Sequence, residues 1–162
     1  MKKSIRLLLI AAMSFLAASA VQGAEYQQHA SGLKTIPTKA PAAASAENFI
    51  GKVTHQSLFQ TTADTTYTGS CVTFAPGART FWHSHPGGQR LIVVKGVCWT
   101  QTEKGEKTAA HAGDTIWCPP DVRHWHGASP DGEMTHLALT EVRNGKNVTW
   151  MEPVSDEQYY SK

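Results

Sequence analysis

Short β-rich segments separated by Gly, Pro and Asp turns fill the chain from Phe49 to Trp150, and they constrain its fold more than any other feature. These segments are rich in Val, Ile, Thr and aromatic residues, and none shows the sustained apolar period of a helix. For about 100 residues of this kind a closed or nearly closed β-barrel is the compact solution, because closure removes exposed strand edges. The predicted strands are residues 51–59, 67–74, 90–94, 97–102, 114–118 and 134–142.

The N-terminal residues have the composition of a secretory signal peptide. Lys2, Lys3 and Arg6 precede an apolar stretch at residues 7–18, and small residues follow it. The stretch is shorter than the roughly 20 apolar residues of a membrane-spanning helix. We therefore expect residues 1–23 to be a cleaved signal, and the mature protein to be periplasmic or secreted without a membrane anchor.

The remaining chain is predicted to form one folded domain. Residues 24–47, rich in Ala, Pro and Ser, are typical of a flexible tether, and residues 48–150 form the predicted barrel. Residues 151–162 form a C-terminal tail in which 155–160 predict a short helix.

Without the three cations of the signal, 12 basic residues are balanced by 13 acidic ones, which gives a net charge of −1. These charges are interspersed, so nucleic acid is not an expected partner.

Three cysteines would enter an oxidising compartment after export. Cys71, Cys98 and Cys118 allow three alternative single bridges, each of which leaves one thiol unpaired. Burial as small apolar residues on strands explains their positions equally well. A catalytic thiol is the weakest interpretation, because none of the three has an adjacent His or a Gly-rich turn.

Four of the eight histidines form two pairs with one intervening residue, His83 with His85 and His124 with His126. Residues i and i+2 of a strand point to the same face, so each pair places two imidazoles side by side. A solvated strand face explains one isolated pair. Two pairs bracketed by Gly and Pro turns at the ends of predicted strands favour a metal site, since imidazole is a common ligand for Mn, Fe, Ni, Cu and Zn.

Two motifs resemble those of the cupin superfamily. Gly77, His83, His85, Gln89 and Gly96 have the spacing of the first cupin motif, and the Gly-Asp, Pro-Pro and His of residues 113–124 resemble the second. The resemblance implies an all-β fold, a double-stranded β-helix (jelly-roll) barrel in a single domain. It also implies a divalent metal ion. The implied metal ligands are His83, His85, Gln89 and His124.

Gln89 departs from the common cupin pattern, in which this ligand is a Glu. A neutral amide leaves a divalent ion with its full charge of +2, whereas a carboxylate would reduce the charge to +1. The departure therefore favours Lewis-acid chemistry, such as deprotonation or carbonyl polarisation, over oxidative chemistry.

A closer resemblance, over residues 49–160, is to small bacterial cupins that include manganese-dependent hydroxynitrile lyases. It rests on the strings at residues 74–80, 83–86, 88–89, 124–128, 134–138, 150–152 and 156–159. That group also uses Gln as a ligand. The resemblance implies manganese as the ion, with Fe, Ni, Zn and Cu as alternatives. Two further histidines line the pocket of its enzymes, and the matching residues here are His126 and His136. The resemblance implies that both are catalytic in a carbon–carbon lyase that cleaves or forms cyanohydrins of small aldehydes.

The residues themselves support these two positions unequally. His126 lies two residues after His124 and therefore faces the same interior. His136 lies in an otherwise apolar predicted strand, where a core His bonded to a backbone carbonyl is the alternative. The other histidines are interpreted as surface or structural residues: His29, His55 and His111. Two alternate positions of the predicted strand 67–74 are candidate specificity residues: Ser70 and Val72.

Two other functions are consistent with the same residues, a metal-dependent dioxygenase or other oxidoreductase and a non-catalytic periplasmic metal- or ligand-binding cupin. Two unligated imidazoles beside a metal favour the lyase over a passive binder, and Gln89 disfavours the oxygenase.

A small molecule is the expected substrate. A homodimer or homotetramer is also expected, because it would cover outward apolar positions. These positions are Ile92, Val94 and Trp99.

Overall fold

The computed structural model describes residues 35–161, so the predicted signal and the first part of the predicted tether lie outside the described residues. Within this part of the chain, no helix has the length and apolar character needed to cross a membrane. The elements in chain order are β1 (Ala42–Ala43), β2 (Phe49–Ile50), β3 (Val53–Phe59), β4 (Tyr67–Phe74), β5 (Arg79–Thr80), β6 (His83–Ser84), β7 (Gln89–Lys95), β8 (Val97–Thr102), β9 (Thr108–His111), β10 (Thr115–Cys118), β11 (His124–Ala128), β12 (Met134–Glu141), β13 (Thr149–Trp150) and α1 (Asp156–Tyr160).

Two antiparallel sheets make up the barrel. The first contains six strands in the order β1-β3-β4-β12-β7-β10. In the second sheet β11 pairs with β5 and β6 on one side and with β8 on the other, and β2, β13 and β9 extend these pairings. Buried side chains from both sheets pack in one hydrophobic cluster, so the sheets face each other. The predicted all-β jelly-roll barrel is confirmed.

The strands of the first sheet follow a period of two. Along β12 buried residues alternate with half-buried ones, so every second residue from Met134 to Thr140 faces the barrel interior. The next interior strand, β7, alternates in the same way over its first five residues. It ends at a bend at Gly96, where the chain passes from the first sheet to the second. The φ of Gly96, 73°, suits glycine, and a Cβ there would clash with the carbonyl oxygen of Glu133.

The barrel interior has an apolar end and a histidine-rich end. Phe74 and Met134 of the first sheet pack with Ala128 of the second and help form the apolar end. His136 follows Met134 by two residues on β12, and His126 precedes Ala128 by two residues on β11. The apolar cluster therefore anchors the strands that carry the histidines.

The C-terminal tail covers the outer face of the second sheet. Val154 and Tyr159 pack with Trp82 and Trp125 in a second buried cluster. The Tyr159 hydroxyl, carried by α1, donates to the carbonyl oxygen of Ala128 at 2.6 Å. Because the tail covers one face of β11 and the interior covers the other, every residue of that strand is buried.

Part of the predicted tether belongs to the barrel. β1 pairs with Thr54 and His55 of β3, and the N–H of Ala44 donates to the carbonyl oxygen of Val53 at 2.9 Å. The sequence predicts that the barrel starts at residue 48, but its first sheet begins at Ala42. Such a short edge pairing is made by backbone hydrogen bonds, so it leaves no apolar pattern in the sequence.

The three cysteines are unbridged, and two of them are buried. Burial raises the pKa of Cys98 and the pKa of Cys118 to about 12. Both thiols are therefore protonated near neutral pH and serve as small apolar residues, in line with the interpretation that neither is a nucleophile.

Candidate active site

Three histidines meet at the histidine-rich end of the barrel. His83 lies on β6, His85 follows that strand, and His124 on β11 pairs directly with His83. One ring nitrogen of each residue lies within 4.8 Å of the others. At this spacing the three nitrogens can hold one metal ion.

Backbone carbonyl groups orient all three rings. The Nδ1 atoms of His83 and His124 donate to carbonyl oxygens two residues earlier in the chain, at 2.9 and 2.8 Å. The Nδ1 of His85 donates to the carbonyl oxygen of Asn147 at 2.6 Å. A carbonyl only accepts, so each Nδ1 carries a proton, and the Nε2 of a neutral ring keeps its lone pair for a metal.

Burial keeps these three rings neutral. It lowers the pKa of His83 well below 6.5, and the neighbouring His124 and His85 lower it further. Burial also lowers the pKa of His124 to about 4 and lowers the pKa of His85. Neutral imidazole is the form that binds metal ions.

The unpartnered atoms of this group fit a divalent cation. The Nε2 atoms of His85 and His124 and the Oε1 of Gln89 are buried without a hydrogen-bond partner. Leaving a buried polar atom unsatisfied costs about 1–3 kcal/mol, and a cation removes this cost by accepting the lone pairs. Imidazole nitrogens combined with an amide oxygen suit a divalent transition metal.

Thr140 orients the Gln89 amide. Gln89 begins β7 and pairs with Thr140 of β12, and its Nε2 donates to the Thr140 Oγ1 at 2.8 Å. With its nitrogen engaged, the amide leaves its oxygen available for a cation. The sequence interpretation missed Thr140, although its position four residues after His136 places both residues on one strand face.

Replacing Thr140 with Val is expected to weaken manganese binding about 10- to 100-fold, because valine has a similar shape but cannot accept the amide hydrogen bond. Affinity would be measured by competition with a chelator. Thr135→Val, on the opposite face of the same strand, is the matched control and should retain the wild-type affinity. Equal affinities for Thr140→Val and the wild type would contradict the positioning role.

Two more histidines face each other beside the three-histidine group. The ring centroids of His126 and His136 are 4.9 Å apart, and that of His126 lies 5.1 Å from that of His83. Phe74 packs against both rings. The Nδ1 of His126 and both ring nitrogens of His136 are buried without a hydrogen-bond partner. A histidine with only a structural role in the core would have such a partner, so these atoms are free for a bound molecule.

The same burial keeps this second pair of rings neutral. It lowers the pKa of His126 well below 6.5, with smaller contributions from His136 and His83. It lowers the pKa of His136 to about 4. Each neutral ring carries one acceptor nitrogen and one N–H donor, so one ring can accept a proton while the other donates a hydrogen bond.

A cavity of about 210 Å³ opens onto these residues. It is smaller than the roughly 300–1,000 Å³ of pockets that hold drug-sized ligands, so it suits a small molecule. Ser70 and Val72, the candidate specificity residues, both line it. The apolar part of its wall consists of Phe49, Val72, Phe74, Ala138, Val148 and Trp150.

The structure assigns different surroundings to the remaining histidines. His55, interpreted from the sequence as a surface or structural residue, is exposed but also lines the cavity. In the sequence, His55 lies two residues after the apolar Val53 and therefore on the same strand face, which indicates this placement. His111 is exposed at a turn beside Asp114, in agreement with the surface interpretation, and His29 lies outside the described residues.

Comparisons with known proteins agree with this architecture. The profile of the cupin domain family matches residues 70–140. The chain is 47% identical over 127 residues to (R)-mandelonitrile lyase of Granulicella tundricola. The match covers 78% of this chain and 97% of that protein. The chain therefore belongs to the cupin superfamily. Within that superfamily it is a mandelonitrile lyase-like cupin.

Solved structures show the same fold. A cupin-like protein of Thermotoga maritima has a TM-score of 0.70 and 35% identity, and the match covers 78% of this chain and 95% of that one. A polyketide cyclase of Streptomyces resistomycificus has a TM-score of 0.59 and 16% identity, with 79% and 91% covered. At this lower identity the similarity concerns the fold alone.

Proposed function

We propose that this protein is an exported, metal-dependent carbon–carbon lyase that cleaves cyanohydrins of small aldehydes or forms them in the reverse direction. The His126–His136 pair carries the proposal, because two neutral imidazoles with unpartnered nitrogens adjoin a three-histidine metal group. A protein that only binds a metal has no need of this pair. The identity to (R)-mandelonitrile lyase supports the same class of reaction.

Four residues would hold the metal ion, for which we propose manganese: His83, His85, Gln89 and His124. When bound there, a divalent ion supplies a Lewis acid that lowers the pKa of a hydroxyl group. Because the Gln89 amide is neutral, it offsets none of the ion's charge. This donor set supports deprotonation chemistry rather than oxidation.

The His126–His136 pair would handle the proton. One ring accepts the proton of the cyanohydrin hydroxyl at its bare nitrogen, while the carbon–oxygen double bond forms and the carbon–carbon bond electrons leave with cyanide. The N–H of the other ring stabilises the departing cyanide, which then takes up the proton. An aldehyde and hydrogen cyanide leave, and both rings return to the neutral state. We assign the two roles to the pair jointly.

Purified protein loaded with manganese is expected to release cyanide from mandelonitrile, and the rate should rise with manganese occupancy. Released cyanide would be measured colorimetrically and the metal by elemental analysis. A protein-free sample at the same pH corrects for spontaneous decomposition of the cyanohydrin. A fully loaded protein that releases no cyanide above this background would contradict the proposal. Oxygen consumption would then test the oxygenase alternative.

Export and assembly stay predictions. The exposure of Val94 on β7, at 48%, supports the proposed homodimer or homotetramer, since a partner would cover this apolar position. Trp99, named from the sequence for the same reason, instead packs against Tyr159 with ring centroids 5.2 Å apart. It therefore gives no support to an interface.

A further inference from the structure

His55 forms part of the cavity wall that the proposed chemistry does not use. It lies on β3 in register with Val72 of β4, which is in turn in register with His136 of β12. Two strand spacings therefore separate His55 from His136, a distance of about 9–10 Å between backbones. Gln89 lies on β7, which is on the other side of β12 from β3, so His55 is farther from the metal ligand Gln89 than from His136 in the order of the sheet.

The His55 ring is hydrogen-bonded to Ser70, a second cavity residue. Its Nε2 lies 2.9 Å from the Ser70 Oγ, and partial burial lowers the pKa of His55. The ring is therefore neutral near pH 7. Whichever of the two atoms donates, the Ser70 hydroxyl keeps either its proton or a lone pair for a molecule in the cavity. The His55–Ser70 pair can thus donate a hydrogen bond to a ligand or accept one from it.

The rest of the cavity restricts which ligand this pair can recognise. Among the described residues that line it there is no Lys, Arg, Asp or Glu. A charged substrate would therefore lose hydration without gaining an ion pair, which disfavours it. On the cavity face Ser70 is flanked by Val72 and is paired with Ala138. A polar group beside apolar carbon matches these surroundings.

We propose that His55 and Ser70 recognise a hydroxyl group on the substrate, remote from the reacting carbon. The separation of His55 from His136 fits a neutral hydroxylated aromatic aldehyde or its cyanohydrin, with the aromatic ring of the substrate lying against the apolar wall. This inference rests on the proposed lyase function, whose substrate class it narrows. A hydroxyl group suits the pair because it can both donate and accept a hydrogen bond.

Binding of 3- and 4-hydroxybenzaldehyde and of benzaldehyde to the manganese-loaded protein, measured by isothermal titration calorimetry, tests the proposal without turnover. At least one hydroxylated aldehyde should bind about tenfold more tightly than benzaldehyde, as expected for one additional hydrogen bond. His55→Leu and Ser70→Ala should each reduce this ratio to about one. His55→Gln, which keeps a hydrogen-bonding side chain, should restore part of it. His111→Leu, at an exposed histidine outside the cavity, should keep the wild-type ratio.

The outcomes separate this inference from the proposed function. No preference for either hydroxylated aldehyde in the wild type, or the same preference in His55→Leu, would overturn the recognition role. Cyanide release from mandelonitrile and from its hydroxylated analogues would be measured in parallel. A binding preference that depends on His55 without any cyanide release would overturn the lyase and retain the recognition site.

Discussion

Replacing His126 or His136 with Ala is expected to reduce cyanide release by about 10²–10⁴-fold while leaving the metal content unchanged. Each substitution removes one of two facing imidazoles, and Phe74, which packs against both, offers no group that could transfer a proton. The measurement is kcat for mandelonitrile cleavage at equal manganese occupancy, verified by elemental analysis.

The buried position of these rings requires a second substitution at each site. Alanine leaves a hole beside Phe74, so a loss of activity in the alanine variants could come from collapse of the cavity. His126→Gln and His136→Gln fill more of the space and retain polar atoms but cannot accept a proton near neutral pH. Both should be as inactive as the alanine variants. A glutamine variant with more than a tenth of wild-type activity would contradict proton transfer at that residue.

Replacing His124 with Ala is expected to abolish stable manganese binding and, with it, cyanide release. His124 supplies one of three convergent ring nitrogens. Its Nδ1 donates to a backbone carbonyl, which leaves its Nε2 as the nitrogen available to a metal. Manganese content should fall from about one ion per chain in the wild type to near zero after gel filtration. Full metal occupancy in His124→Ala would refute the assignment of the site.

Thermal unfolding gives a reading of the same site that does not depend on activity. Manganese at about 100 times its dissociation constant should stabilise the wild type by about 2.7 kcal/mol, whereas His124→Ala should show no such gain. His111→Ala is the matched control, because its side chain is 70% exposed at a turn. It should bind manganese and be stabilised as the wild type is. Removal of manganese by a chelator should lower the wild-type melting temperature, and adding it back should restore it.

The strand predictions succeeded where a segment is long and has the composition of a strand. β12 and β4 have eight residues each, and Thr, aliphatic and aromatic residues predominate in them, so their positions could be read from the sequence. β11 was not among the predicted strands, because it has only five residues, His-Trp-His-Gly-Ala, with no Val, Ile or Thr. Its complete burial depends on the C-terminal tail on its outer face and the cavity on its inner face.

The cavity wall was predicted less completely than the histidine group. Thr140 and His55 act through partners that are distant in the sequence, Gln89 and Ser70 respectively. The alternation along each strand places Thr140 and His55 on interior faces, but it does not show which residues of neighbouring strands they contact. They exist because β12 lies between β4 and β7, and because β3 pairs with β4.

The sequence by itself determined which side chains share a strand face, because that depends only on the alternation of residues along each strand. Spacing within one strand therefore identified His83 with His85 and His124 with His126, and the motif resemblance added Gln89. Only the tertiary structure decided which strands lie side by side, since many pairings bury similar amounts of apolar surface. The pairing of strands brings His124 beside His83, and the packing of the two sheets brings His136 opposite His126. It also places His55 in the wall of the same cavity.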